Sequence, residues 1–347
     1  MPVTRYRFYS VIVASFNRID EINDLLASFE SLRADQIKYE LIIVDDGSTD
    51  GTRDFLEKYI QKSRLPLKFA CQENKGPGAA RNTGMATARG DFFIFIDSDC
   101  SVPAHWLEQI DQVLNDEQAD AYGGPDTYRD DFPALLKAIN YTMTSFITTG
   151  GLRGRKGKKL AKFYPRSFNM GISRKLWEKI GGFGSLRHGQ DIEFSNRILS
   201  SNAKVSFIQE AYVYHKRRTN IRRFYRQVYN WGVARINLYR IDPRMLEPLH
   251  IVPAMATLFA VLIIVLALFF DFFLKFLIAG LALALIIQIG LSIDAMRIYR
   301  EIKPALLLPV IMPAQIFGYG LGFINNFIRR IIFGKDEKVG FKKNYYK

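Results

Sequence analysis

Leu41-Ile42-Ile43-Val44-Asp45-Asp46-Gly47-Ser48 is the stretch on which the fold turns. Four apolar residues without polar alternation mark a strand covered on both faces, the habit of parallel sheets. The run passes straight into two carboxylates and a glycine, so the strand ends in a charged turn. Thr49 or Asp50 can cap a following helix that carries Phe55, Leu56, Tyr59 and Ile60. Strand and helix signals alternate on either side of this stretch, without an internal repeat. Tyr9–Ala14 (YSVIVA) ends at Ser15, Asn17 and Arg18, and Ile22, Leu25, Leu26, Phe29 and Leu32 follow at helical spacing. Leu67–Cys71 predicts a third strand and Gly76–Arg89 a helix. Phe92–Ile96 (FFIFI) predicts a fourth strand, running into Asp97-Ser98-Asp99. Strands alternating with helices predict an α/β fold, a parallel sheet with both faces covered. Right-handed crossovers would bring every strand's C-terminal end to one edge, where open α/β sheets bind ligands.

Beyond Ser101 the pattern loosens. Asp120–Gly124, Lys204–Ile208 and Ala211–His215 read as short strands. The run RGRKGKKLAK (Arg153–Lys162) reads as a mobile loop over the cleft, and Arg222–Arg240 as a basic helix with Phe224, Tyr225, Tyr229 and Trp231. Leu249–Phe270 carries no charge; about 22 residues at about 1.5 Å each make about 33 Å of helix, enough to span a bilayer. Phe272–Leu291 is a second such run, broken only by Lys275. Asp271 and Lys275 would be costly at a bilayer centre and cheap at a turn, so a tight hairpin at Asp271 is expected. Arg235, Arg240 and Arg244 precede it, and Arg297, Arg300 and Lys303 follow, placing both flanks with the soluble part on the cytoplasmic side. Pro309 and Pro313 are expected to break the third apolar run, 304–328, which either spans, re-enters or lies along the interface. The expected domains are 1–247 for the soluble part, 248–333 for the membrane part and 334–347 for a basic tail.

A formal charge of +14 calls for anionic partners. No nucleic-acid motif accompanies it, so phosphate-bearing substrates and lipid headgroups are expected instead. Cys71 and Cys100 are the only cysteines, giving neither a disulfide framework nor a thiolate metal set. No basic segment with an apolar run precedes Phe8, so no signal peptide is expected.

The reactive groups gather at the predicted strand ends. Asp45 and Asp46 end one strand, and Asp97 and Asp99 another. A D-x-D turn offers hard oxygens to Mg²⁺ or Mn²⁺, though a plain turn or cap also explains it. Between them lies Lys75-Gly-Pro-Gly-Ala-Ala-Arg-Asn-Thr-Gly84, whose glycines, helix N-terminus, Lys75 and Arg81 suit an anion.

VIVASFNR (Val11–Arg18), IIVDDGSTDGT (Ile42–Thr52), NKGPGAARNTG (Asn74–Gly84) and IDSD (Ile96–Asp99), in this order, resemble the family 2 inverting glycosyltransferases of the GT-A fold. Together with the apolar tail, the chain is similar to membrane-anchored exopolysaccharide and O-antigen (succinoglycan-type) members. The resemblance implies a Rossmann-like mixed sheet followed by transmembrane helices. It implies a nucleoside-diphosphate sugar donor, UDP-sugar first among them, and Mg²⁺ or Mn²⁺. Asp45 and Asp46 would contact base and ribose near Ala14, Phe16 and Arg18, with Lys75 and Arg81 at the nucleotide. Asp97 would hold ribose, donor sugar or metal, and Asp99 the metal. Gly189-Gln190-Asp191-Ile192-Glu193 matches the family's acidic motif, with Asp191 as general base and Gln190 where Glu is common; a helix cap is the plainer alternative. His215 would complete the metal site, or is structural. His105, His188 and His250 form no cluster. Gln227-Val-Tyr-Asn-Trp231 is similar to an acceptor-binding motif with Asn230 in place of Arg, so Gln227 and Trp231 would meet the acceptor sugar, or only pack the helix. The implied acceptor is a lipid-linked glycan, at the inner (plasma) membrane. A polyprenyl-phosphate acceptor and a catalytically silent sugar-nucleotide-binding scaffold are the alternatives.

Overall fold

The computed structural model describes residues 8–145, 163–216 and 220–336, which form two compact units. The first comprises residues 8–127 and 163–215, the second residues 128–145, 216 and 220–336.

In chain order the first unit contains β1 (Phe8–Ser15), α1 (Ile19–Glu30), β2 (Lys38–Asp45), α2 (Thr52–Ile60), β3 (Leu67–Cys71), α3 (Pro77–Thr87), β4 (Phe92–Asp97), β5 (Cys100–Ser101), α4 (Trp106–Glu117), β6 (Ala121–Gly123) and β7 (Asp126–Thr127). The second unit then supplies α5 (Ala134–Thr144). The first resumes with β8 (Asn169–Ser173), α6 (Arg174–Ile180), α7 (Gln190–Ser200), β9 (Val205–Phe207) and β10 (Val213–His215).

The main sheet has the order β3-β2-β1-β4-β8-β6-β9. Its first four strands are parallel, as their continuous apolar runs require, and β8 runs antiparallel to both neighbours. Alternate side chains enter two cores. Val11, Val13, Leu41 and Ile43 pack with Ile22, Leu25, Phe29, Trp106 and Ile110 on one face. Ile12, Ile42, Val44, Phe93 and Phe95 pack with Ala80, Met85, Phe194 and Ile198 on the other. The fold is thus the mixed GT-A type and not a wholly parallel sheet. The antiparallel strand left little trace in the sequence because Gly171 breaks its apolar run. A Cβ there would lie 2.6 Å from the Phe93 carbonyl, so close strand packing demands the glycine.

Register places the acidic strand ends together. Ser15 of β1 lies opposite Asp45, and Ala14 opposite Asp97, so both carboxylate pairs share one edge, as expected. A second sheet, β5-β10-β7, stands past that edge and pairs Cys100 with His215.

The second unit adds α8 (Ile221–Ile241), α9 (Pro248–Ala267), α10 (Asp271–Tyr299) and α11 (Ile302–Phe327) to α5. α9 and α10 are separated by a short turn that ends at Asp271, where the hairpin was expected. Pro309 and Pro313 do not break the third apolar run: both lie inside α11, which stays continuous. A helix can carry such prolines where neighbouring helices re-satisfy the freed backbone groups. Close packing supplies those neighbours: a Cβ on Gly232 of α8 would lie 2.1 Å from the Tyr319 carbonyl, and one on Gly322 would lie 2.0 Å from that of Tyr229. Among the described residues, three helices are long and apolar enough to cross a membrane. The basic run Arg153–Lys162 and residues 337–347 of the tail lie outside the described residues.

Glu40 ties three parallel segments together inside the sheet. It is 2% exposed and accepts from Ser10 Oγ (2.7 Å), Lys68 Nζ (2.8 Å) and the Arg89 amide (2.6 Å). Burial pushes its pKa up, but Lys68 and these donors outweigh that and hold it below the usual 4.5. The stability it contributes is therefore full above pH 4.5 and lost as pH falls through the lower folded value. Glu40→Ala should lower stability by about 1–3 kcal/mol for each buried donor left unsatisfied. Thermal unfolding of the detergent-solubilised protein measures this, and the gap to the wild type should narrow in acid.

Candidate active site

The turn after β2 is built around two buried carboxylates. Asp45 accepts from the Ser48 amide (3.2 Å) and the Ser48 hydroxyl. Burial raises its pKa, and the charges of Asp50 and Asp46 push the same way, against the Ser48 bonds. Asp46 accepts from Gln72 Nε2 (2.6 Å) and from the amides of Lys75 (2.9 Å) and Gly76 (2.8 Å). It thereby holds the loop that enters α3. Gly47 sits at φ +81° with Asn74 N 3.1 Å from where a Cβ would be, so that turn needs glycine. Ala14, Phe16 and Arg18 stand half-buried around the end of β1, with Arg18 ion-paired to Glu21 at 2.5 Å. Lys75 is exposed at the entrance to α3.

α3 organises the floor. Arg81, 6% exposed, reaches Asp97 at the end of β4 (Nη2–Oδ1 2.5 Å) and lies over the Phe183 ring at 5.4 Å. Asn82 makes a two-way clamp on Phe183, donating to its carbonyl (2.9 Å) and accepting from its amide (2.8 Å). This accounts for the Arg81-Asn82 pair, which a bare turn would not need. Between α3 and the loop from Phe183 to Gln190 lies a cleft of about 260 Å³, lined by Lys75, Gly76, Asn82, Arg187 and Gln190 among others. Arg197 closes the loop's base by bonding Glu193 and the carbonyls of Ile180 and Gly182, both 2.6 Å.

Asp191 stands in the first turn of α7, after Gly189 at φ +86°. Its side chain pairs with Arg166 (3.0 Å) and also accepts from the Ile192 amide at the helix N-terminus, so it serves the helix start as well as facing the guanidinium. Burial alone would raise its pKa, but the Arg166 and Arg81 guanidiniums outweigh that and hold it below 3.8. At 27% side-chain exposure the carboxylate remains reachable. Arg166 escaped the sequence reading because it falls just past the basic run and belongs to no motif.

The second sheet assembles the cation donors. Asp99, Cys100 and His215 place one ligand atom each within 4.8 Å of one another. His215 Nε2 lies 3.2 Å from Asp99, and Nδ1 lies 3.2 Å from Asp126. Burial would lower the imidazole pKa, yet the two carboxylates raise it to about 9. A carboxylate behind a histidine, with the other ring nitrogen facing an oxygen donor, is a common metal-ligand arrangement, so these residues fit a divalent cation. Asn169, fully buried, positions both strands by donating to the carbonyls of Pro125 (3.2 Å) and Ala211 (2.6 Å). Asp97 is engaged by Arg81 and stands outside that donor cluster. Asp126 carries no motif, and only the pairing of β7 with β10 reveals it. Gln227 and Trp231 lie half-buried on α8 of the second unit.

The mixed α/β sheet thus brings acidic strand ends, an arginine-bearing helix start and a carboxylate–histidine cluster to one edge. Residues 10–181 match the model of "Glycosyl transferase family 2". EpsH of Bacillus subtilis (strain 168), a glycosyltransferase by assignment, is 30% identical over 257 residues, 69% of each chain. TuaG of the same organism, assigned to teichuronic acid biosynthesis, is 35% identical over 132 residues, 38% of this chain and 52% of TuaG. The mannosyltransferase PcManGT from Pyrobaculum calidifontis, solved with GDP-Man and Mn²⁺, superposes with a TM-score of 0.63 at 18% identity, over 93% of this chain and 88% of that one. This chain belongs to glycosyltransferase family 2. It is a glycosyltransferase.

Asn82→Ala removes both bonds to Phe183. It should cost about 1–3 kcal/mol for the stranded backbone groups and loosen the loop from Phe183 to Gln190. Hydrogen exchange should show faster exchange at Phe183 and its neighbours, with β1 and β2 unchanged.

Proposed function

We propose that this chain is an inverting transferase that moves one sugar from a nucleoside-diphosphate donor to a lipid-linked or membrane-proximal glycan in cell-surface polysaccharide assembly. The observation that carries the reading is the connected set Arg166–Asp191 and Arg81–Asp97, with the Arg81 charge acting on Asp191. It joins a candidate base to the donor-side strand ends. TuaG's assigned role supports the polysaccharide setting, and the three apolar helices support the membrane setting. The soluble unit would face the cytoplasm at the plasma membrane, following the basic residues that flank the hairpin. A UDP-sugar is the first donor to test, with GDP-mannose beside it.

Asp191, ionised at neutral pH, would take the proton of the acceptor hydroxyl as that oxygen attacks the anomeric carbon from the side opposite the diphosphate. The bond to the phosphate oxygen breaks, and the nucleoside diphosphate leaves with inverted configuration at carbon. Arg81 keeps Asp97 in place, while Lys75 and the start of α3 offer positive charge to the phosphates. A divalent cation held by Asp99 and His215 would supply further positive charge there. Gln227 and Trp231 are the proposed contacts to the acceptor sugar.

Arg166 also favours a second reading. A carboxylate held by a guanidinium is a weaker base, and an acceptor that is already anionic, such as polyprenyl phosphate, needs none. Asp191→Asn distinguishes the two. With a hydroxyl acceptor it should cut transfer by about 10²–10⁴-fold while donor binding persists. With a phosphate acceptor the rate should hold. If Asp191 is the base, Arg166→Gln should move the acid limb of the pH–rate profile to higher pH, because the carboxyl loses the cation that lowers its pKa. A profile that does not move would place Arg166 elsewhere in the reaction.

Asp99→Asn, or chelation with EDTA, should abolish turnover and weaken donor binding. Release of nucleoside diphosphate from a nucleotide-sugar panel reads the first, and calorimetry the second. Full activity under both conditions would falsify the metal assignment.

A further inference from the structure

We propose that Asp99, Cys100 and His215 also form a site for a thiophilic divalent cation, Zn²⁺ above all, and that zinc bound there silences transfer. The proposal rests on the reading of Asp99 and His215 as a cation centre and adds sulfur to it.

Geometry carries the inference. Cys100 of β5 and His215 of β10 are register partners in an antiparallel pair, so their side chains leave the same face. The ligand atoms of Asp99, Cys100 and His215 lie within 4.8 Å of one another. Donors bound tetrahedrally to one zinc ion at about 2.0–2.3 Å lie about 3.3–3.8 Å apart, so the most distant pair closes by up to about 1–1.5 Å on binding. The orientation of His215 suits it: Asp126 engages Nδ1 at 3.2 Å and leaves Nε2 toward Asp99, also at 3.2 Å. Cys100 is 2% exposed, and its thiol spends its hydrogen on one long contact, 3.9 Å to the Phe168 carbonyl. Little is lost when that contact is given up.

Cation chemistry separates two states of the centre. Mg²⁺ and Mn²⁺ prefer oxygen, keep near-octahedral coordination and leave several positions for diphosphate oxygens. Cys100 then remains a thiol beside the ion. Zinc accepts sulfur, nitrogen and oxygen and prefers four ligands. On binding, a Zn–S bond replaces the S–H bond of Cys100 and the proton leaves to solvent. His215 binds through Nε2 as the neutral imidazole, and the proton on that nitrogen leaves to solvent as well. Three protein ligands then leave one position, too few for two diphosphate oxygens. A buried cysteine that is only a small apolar filler is the competing explanation.

Co²⁺ reports sulfur ligation directly. Full-length Cys71→Ser protein in detergent, which retains Cys100 as its cysteine, should develop a thiolate-to-cobalt band in the near ultraviolet, and Zn²⁺ should remove it. Cys71→Ser/Cys100→Ser should show no such band. Zinc inhibition of donor turnover in the Mn²⁺-loaded enzyme should weaken by about tenfold or more in that variant. Should the serine fail to fold, Cys100→Ala and the cobalt spectrum of the Cys71→Ser parent decide the matter. Mn²⁺ binding by electron paramagnetic resonance without any cobalt–sulfur band would overturn the sulfur ligand and leave the cation centre standing. Binding of neither Mn²⁺ nor Co²⁺ would remove both. A band that survives loss of Cys100 would also overturn the proposal.

Discussion

Parallel register at the β2–β1–β4 centre is the constraint from which the first unit follows. Three neighbouring strands end in step, so Asp45, Asp46, Asp97 and Asp99 are delivered to one edge of one sheet. Carboxylates so gathered, two of them only 2% exposed, would each cost several kcal/mol if left unmatched. Much of the surrounding architecture supplies the match. Ser48 answers Asp45, the backbone of the α3 entry loop answers Asp46, Arg81 answers Asp97 and His215 answers Asp99. Helix starts, loop glycines and the small second sheet are where they are because those partners must arrive there.

The same compensation links the two sides of the cleft. Arg81 is bound to Asp97, stacked against Phe183 and close enough to depress Asp191. Asn82, next in sequence, clamps the Phe183 backbone from the other side. A single turn of α3 therefore positions both the strand end and the loop that leads to the candidate base. Arg197 then fixes α7 to the start of that loop. Rigidity of this kind suits a site that must hold a base and a leaving group in one line.

The second unit obeys a different economy. Its helices meet through glycine-bearing faces: Gly232 and Gly322 bring α8 and α11 to backbone distance, and Gly318 makes room for the Val228 and Tyr225 side chains. Polar side chains inside it are paired: Lys137 with Glu301 at 2.7 Å, Tyr141 with Asp294 at 2.7 Å and Asn140 with Tyr299 at 3.0 Å. Outside, α9 and α10 expose Leu258, Phe259, Val261, Leu283 and Ile286, each at least half uncovered. An apolar surface of that extent is stable against lipid and unstable against water.

The amino-acid sequence alone determined the parallel half of the sheet, the edge that carries the carboxylates and the hairpin at Asp271. Those features follow from local rules: apolar runs, polar ends and the cost of charge in hydrocarbon. It also pointed to Asp191, through a motif whose spacing is local, and to His215 as a lone histidine at the end of a short strand. Tertiary structure alone decided the rest. β8 is concealed by Gly171, whose lack of a side chain answers to Phe93 and not to its own strand. Pro309 and Pro313 mark breaks by local rule, but packed neighbours keep α11 whole. Arg166, Asp126 and Cys100 gain meaning only from groups 25, 89 and more than 100 residues away, an ion pair, a histidine's second nitrogen and a register partner. Such partners are chosen by the closing of the sheet, and no window of sequence contains both members.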